Sequence, residues 1–188
     1  ALKDVLGDHV SQAGSYVTDG TCRFDFTHFE KISLEDLRKV ERLVNEKIDA
    51  SLESNIRELP IEEAKKLHAT ALIEEKYGDV VRLVDMGYSK ELCGGTHIKN
   101  TSDIKKFAIT MIESKGSGVF RIEAVASDNL FELIENTIKN TKEDILDVIS
   151  KVNNLVNKAK EEGYTLNKPN ITLPALVGSY IDIINYRK

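Results

Sequence analysis

At 188 residues the chain is long enough to bury a core of its own, and its 41% hydrophobic and 30% charged residues are the balance of a globular protein. No apolar run approaches the ~18 residues that a membrane span needs. A net charge of -5 excludes a broadly basic surface, so any contact with nucleic acid has to be local. Two cysteines, Cys22 and Cys93, are too few for a disulfide framework and fit a reducing cytosol.

Residues 1–7 read as the last turns of a helix, with Leu2, Val5 and Leu6 on one face and Gly7 as its stop; the expectation is a chain cut from a longer protein. Ser15–Val17 and Thr21–Phe26 flank Asp19-Gly20, a two-residue hairpin signal. Ser33 opens a helix to about residue 50, with Asp36 completing an acidic capping box and Leu34, Leu37, Val40, Val44 and Ile48 at helical spacing. Asn55–Leu59 is a candidate strand closed by Pro60, and Ile61–Leu67 a short helix with Glu62 and Glu63 at its positive end. Val80–Met86 is a strand stopped by Gly87. Residues 104–114 and 119–126 form a β-pair around Lys115-Gly116-Ser117-Gly118. From Ser127 the pattern turns helical: Leu130, Ile134, Ile138, Ile145, Val148, Val152 and Leu155 recur every three or four residues, Thr141 filling the gap, and Gly163 ends the run. Residues 167–170 read as a loop, and 175–188 as the start of another helix. Strands and helices segregate, so the expected class is α+β: an antiparallel sheet packed with helices over residues 1–127, then a helical C-terminal extension over 128–188.

Between these elements lies Cys93-Gly94-Gly95-Thr96-His97. Four-residue spacing puts two side chains on one face of a helix, but two glycines make a poor helix. A tight turn folds both donors toward one point instead, and thiolate with imidazole suits zinc. A buried cysteine beside a histidine satisfied by backbone groups is the alternative. Gln12 sits in a polar cluster between a helix end and a strand, a place where loop chemistry is commoner than catalysis. Cys22 alternates with apolar positions as a core residue does, and His28 and His68 read as surface or core histidines. Residues 99–121 hold five basic side chains (Lys99, Lys105, Lys106, Lys115, Arg121) against two acidic, while 127–163 hold five against eight. Positive charge thus gathers beside the Cys/His turn, as a phosphate-contacting rim requires, although a solvated strand pair has the same composition.

Four segments, in this order and separation, resemble the editing domain of alanyl-tRNA synthetase: Gly7-Asp8-His9-Val10-Ser11-Gln12-Ala13-Gly14-Ser15, Arg23-Phe24-Asp25-Phe26-Thr27-His28, Glu91-Leu92-Cys93-Gly94-Gly95-Thr96-His97 and Arg121-Ile122-Glu123-Ala124-Val125. Glu62–Lys66 and Glu75–Gly78 fit the same pattern. The resemblance covers about residues 1–127; related domains occur in threonyl-tRNA synthetase and in free-standing alanyl-tRNA editing proteins. It implies that Cys93 and His97 are zinc ligands, two of four, the others being a His-x3-His pair on a helix immediately upstream of the segment matching residues 1–7. It implies that Gln12 lies near the scissile ester, that Gly94, Gly95 and Thr96 shape the pocket, and that the partner is the acceptor end of tRNA(Ala). The activity implied is hydrolysis of mischarged seryl- or glycyl-tRNA(Ala), in the cytoplasm, within a parent that also binds ATP and charges tRNA; no alanine-activating domain is expected here. Where the family has two adjacent arginines before Ile-Glu-Ala, this chain has Phe120-Arg121, so Arg121 or Lys115 is left for the phosphate or terminal-adenosine contact. After the editing domain the family continues into a coiled coil, for which residues 180–188 are the expected entry. Two other readings stand beside this one: a tRNA-binding or linking fragment disarmed by half a zinc site, and an interaction module acting through the long helix.

Overall fold

The computed structural model describes residues 1–67, 69–70, 78–128, 130–167, 170 and 180–181. It divides into two compact units, Ala1–Leu130 and Phe131–Lys188. The class is α+β, with two antiparallel sheets in the first unit.

The first unit opens with α1 (Leu2–Leu6), which ends at Gly7, whose φ of 111° lies in the glycine-favouring region. β1 (Gln12–Thr18) and β2 (Thr21–Thr27) form the expected hairpin across Asp19-Gly20, with Gly20 at φ 77°. α2 (Leu34–Asp49) starts where Ser33 Oγ accepts from the Asp36 backbone N–H at 3.0 Å. Asp36 reaches back as the capping box expects: its carboxylate accepts from the same hydroxyl at 2.6 Å and bonds the Ser33 backbone, and these bonds lower its pKa. β3 (Asn55–Pro60) runs directly into α3 (Ile61–Lys66), and β4 (Val80–Asp85) turns through Gly87 into the short β5 (Lys90–Leu92).

Two expectations shift at the next segment. Thr101–Ile104 is a 3-10 turn, not the start of a strand, because Asn100 Oδ1 accepts from the Ser102 N–H at 2.9 Å and caps it. Lys105 then adopts φ 68°, and the strand starts only at Phe107. β6 (Phe107–Gly116) and β7 (Val119–Ala126) form the expected pair, but β6 runs on through Lys115 and Gly116, so the turn is Ser117-Gly118 alone.

The four-stranded sheet has the order β1-β2-β7-β6 and the three-stranded sheet β3-β4-β5, every neighbour antiparallel. On one face of the larger sheet Phe26, Ile109, Ile122 and Ala124 are buried, as are Leu37 and Val40 of α2. Cys22 shares the Phe26 side by strand alternation, is half-buried, and has its thiol pKa pushed up by burial. The opposite face carries Arg23 and Asp25 opposite Glu123 and Arg121. The smaller sheet packs its own core from Leu59, Val81, Leu83 and Leu92 against Ala64 of α3.

In the second unit, the expected helical run is one helix, α4 (Leu130–Glu161), 32 residues long, and Thr141 is buried within it. Gly163 follows at φ 85°. Of the helix expected over 175–188 only Tyr180 and Ile181 are described, both helical and buried; the rest lies outside the described residues, as do His68, residues 75–77 of the Glu75–Gly78 segment, and 168–169 of the expected loop. Among the described residues no helix is long and apolar enough to cross a membrane.

Candidate functional site

β4 and β5 bring the Cys/His turn into position. Leu83 pairs with Leu92, and one residue on the Cys93 N–H donates to the Arg82 carbonyl at 3.1 Å. Thr70 bridges to the same strand: its N–H donates to Lys90 O at 2.8 Å, and its carbonyl accepts from Leu92 N at 2.9 Å. The hairpin before the turn is tied to the N-terminal helix. Tyr88 OH donates to the Asp4 carboxylate, and burial with that neighbouring charge pushes the phenol up to about 12. The Lys47 ammonium lies 4.2 Å from the centre of the same ring.

The turn is organised around Gly95. Its N–H donates to Cys93 Sγ at 3.4 Å, and its carbonyl oxygen lies 3.0 Å from His97 Nδ1. A carbonyl only accepts, so Nδ1 carries the proton and Nε2 keeps its lone pair. A Cβ placed on Gly95 would stand 3.5 Å from Cys93 Sγ and 4.0 Å from His97 Cε1, so thiol and imidazole border the same space beside the glycine. Neither Gly94 nor Gly95 has a positive φ. At these distances a methyl at 95 would make ordinary van der Waals contact with both donors. Thr96 is exposed, and Cys93 and His97 are half-buried.

This donor pair fits one half of a tetrahedral zinc site: a soft thiol, an imidazole with its free nitrogen available, and a carbonyl behind the ring that fixes its tautomer. Among the described residues no group of three or more His, Cys, Asp or Glu gathers as a metal site would need.

The other predicted site residues lie on the larger sheet. Gln12 begins β1, opposite Phe26, just before a register shift between Gln12 and Gly14 that locally re-aims the strand. Its side-chain amide donates to Ser15 Oγ at 3.2 Å. Arg121 sends Nε and Nη2 to the two oxygens of Asp25, each at 2.8 Å, and Lys115 pairs with Glu113 at 3.0 Å. Both cations expected at a phosphate are thus engaged with carboxylates. His28 is buried, its Nδ1 2.8 Å from His9 Nε2, in a cluster with Phe29 and Phe120.

The residue that sequence reasoning missed is Arg82. Its Nη1 donates to Cys93 O and to Gly95 O, both at 2.7 Å. The signal was a lone basic side chain in the otherwise apolar Val80–Val84 run, which reads equally well as a solvent-facing strand position.

The segment 81–123, holding Arg82, the Cys/His turn, Lys115 and Arg121, matches the family described as the threonyl and alanyl tRNA synthetase second additional domain. Along its whole length the chain is 47% identical to an alanine–tRNA ligase of Acholeplasma laidlawii, over 21% of that protein. It is 45% identical to the alanine–tRNA ligase of Bacillus anthracis, over 93% of the chain and 20% of the relative. With the enzyme of Listeria welshimeri it shares 52% identity, over 75% of the chain and 16% of the relative. The chain spans about a fifth of the length of the curated relatives it matches.

Proposed function

This chain is a relative of the alanine–tRNA ligases and carries the second additional domain of the threonyl and alanyl tRNA synthetases, and from that we propose that it is an editing module hydrolysing the ester of seryl- or glycyl-tRNA(Ala) in the cytosol. The observation that carries the reading is that the Cys93 thiol and the His97 ring border the same space beside Gly95, with Nδ1 bonded to the Gly95 carbonyl, inside the family-matched segment. Cys93 and His97 would hold zinc, which when bound acidifies a water or polarises a carbonyl.

The need for such a site is thermodynamic. A pocket shaped for alanine separates it from glycine, one methyl smaller, or serine, one hydroxyl larger, by only ~10–200-fold. A second site that hydrogen-bonds serine's hydroxyl spares alanyl-tRNA, because its polar groups go unpaired against a methyl. In the hydrolysis, water adds to the ester carbonyl, the bond to the terminal ribose oxygen breaks, and that oxygen leaves with a proton. Gln12 suits the recognition: its amide offers donors and an acceptor, and its single recorded side-chain bond is to the exposed Ser15 hydroxyl. Gly94 and Gly95 leave room beside the donors, and the Thr96 hydroxyl is open to solvent.

The test is release of serine from seryl-tRNA(Ala) by the chain and by Cys93→Ala. A rate at least ~10-fold lower in the variant is expected for loss of a metal ligand. Equal rates in the two proteins would remove Cys93 from the site. A second reading, tRNA binding without hydrolysis, is favoured by the gathering of only two metal donors among the described residues; RNA binding with no release of serine from either protein would establish it.

A further inference from the structure

We propose that Arg82 is a positioning residue for the Cys93–His97 turn, fixing the His97 tautomer and with it the direction in which the donor pair faces. The two hydrogens of one guanidinium nitrogen suffice: Nη1 donates to Cys93 O and to Gly95 O, each at 2.7 Å. These bonds draw together carbonyls two residues apart, which closes the turn. They are charge-assisted, so they are the strongest side-chain bonds recorded to the turn's backbone. The second contact bears directly on the chemistry, since Gly95 O also accepts from His97 Nδ1 at 3.0 Å. A carbonyl oxygen has two lone pairs; Arg82 occupies one and orients the other toward the ring. Nδ1 must therefore keep its proton, and Nε2 faces away from the turn as a lone-pair donor.

The anchor itself is fixed. Arg82 lies in the middle of β4, paired with Glu58 of β3, and the Arg82 carbonyl accepts from the Cys93 N–H at 3.1 Å. Backbone and side chain of one strand residue thus hold the turn at both of its carbonyls and at its first amide.

The role in presenting a metal rests on the proposed function, whereas the tautomer does not, and the experiment separates them. Long-range proton–nitrogen correlation spectra of the 15N-labelled, metal-free chain read each imidazole's tautomer, recorded above about pH 8, where histidine is neutral. His97→Gln assigns its ring among the four histidines. The expected result is an Nδ1–H ring for His97 in the wild type and in Arg82→Lys, which keeps charge and donors, and a shift toward Nε2–H in Arg82→Met. An Nε2–H ring in the wild type, or an unmoved ring in folded Arg82→Met, overturns the inference. Should Arg82→Met lose the dispersed spectrum of the folded chain, Arg82→Lys decides: a ring that turns Nε2–H there overturns it. Cobalt(II), titrated through its thiolate charge-transfer band, is expected to bind Arg82→Met ~10–100-fold more weakly than wild type, the usual effect of losing an outer-sphere support. Equal cobalt affinity would overturn the link to metal presentation. Absence of ester hydrolysis would count against the proposed function and leave the ring measurement unaffected.

Discussion

Arg121 illustrates how one residue's function depends on its partner. By resemblance it is a phosphate contact; in the fold it forks onto Asp25 across the β2–β7 ladder, and the two side chains are only 21% and 18% exposed. The hydrogen bonds from Arg121 hold the Asp25 carboxyl below its ordinary value. A depressed carboxyl pKa stabilises the fold above the unfolded value of about 3.9 and loses that contribution as pH falls through the folded value. Asp25→Asn is therefore expected to cost ~1–2 kcal/mol at neutral pH, between an exposed pair and a fully buried one. In urea titrations the gap between variant and wild type should close as the solution becomes strongly acidic. A gap that persists unchanged would place the effect in packing and not in charge. Nothing local in the sequence announces this pair, because its members lie 96 positions apart. The Cys/His turn was legible because all its donors fall within five residues, whereas Arg82 reaches it only through the β4–β5 pairing.

At the scale of elements, α2 both covers the sheet and closes its edge. β6 is an outer strand of the larger sheet, and its backbone groups would otherwise face solvent or another strand. Asn45 meets them as a strand would: its amide donates to Phe107 O at 2.8 Å and its carbonyl accepts from Phe107 N at 3.0 Å. One turn earlier, Glu41 Oε2 accepts from Ile109 N at 2.7 Å. Asn45→Ala removes the partners of both backbone polar groups of the half-buried Phe107, so chemical unfolding should show a loss of ~1–3 kcal/mol. A loss below ~0.5 kcal/mol would mean that water replaces the amide. The helix was readable from Ser33 and the apolar spacing, and the hairpin from Asp19-Gly20, since those signals are carried by neighbours in sequence. β5 was not, because three residues hold too little periodicity. The start of β6 was displaced because Asn100 caps a turn within an otherwise strand-like run. Asn45 and Glu41, i and i+4 on one helix face, look in sequence like an ordinary solvated stripe.

At the scale of the whole molecule, charge decides how the chain can meet RNA. The sequence gathers five basic residues between 99 and 121, and the fold engages three of them: Lys106 with Asp49 at 3.1 Å, Lys115 with Glu113, and Arg121 with Asp25. Of this group only Lys99 and Lys105 show no ion pair among the described residues. Using a paired cation for a phosphate first requires breaking a salt bridge, and the net charge of -5 adds long-range repulsion. The number of phosphates neutralised should accordingly be near two. Each contributes a slope of about -0.7 to -0.9 in log affinity against log salt, so raising salt from 50 to 200 mM should weaken tRNA(Ala) binding by only ~10-fold. Proteins that grip six to ten phosphates lose ~1,000-fold or more over the same range. Fluorescence anisotropy across that range distinguishes the two. A steep loss would show that the Asp49, Glu113 and Asp25 pairs open on binding, and Arg121→Met would then reduce the slope by about one unit. A shallow slope insensitive to Arg121 would count against phosphate contacts by the sheet and agree with the proposed function, in which the Cys93–His97 turn would meet the ester.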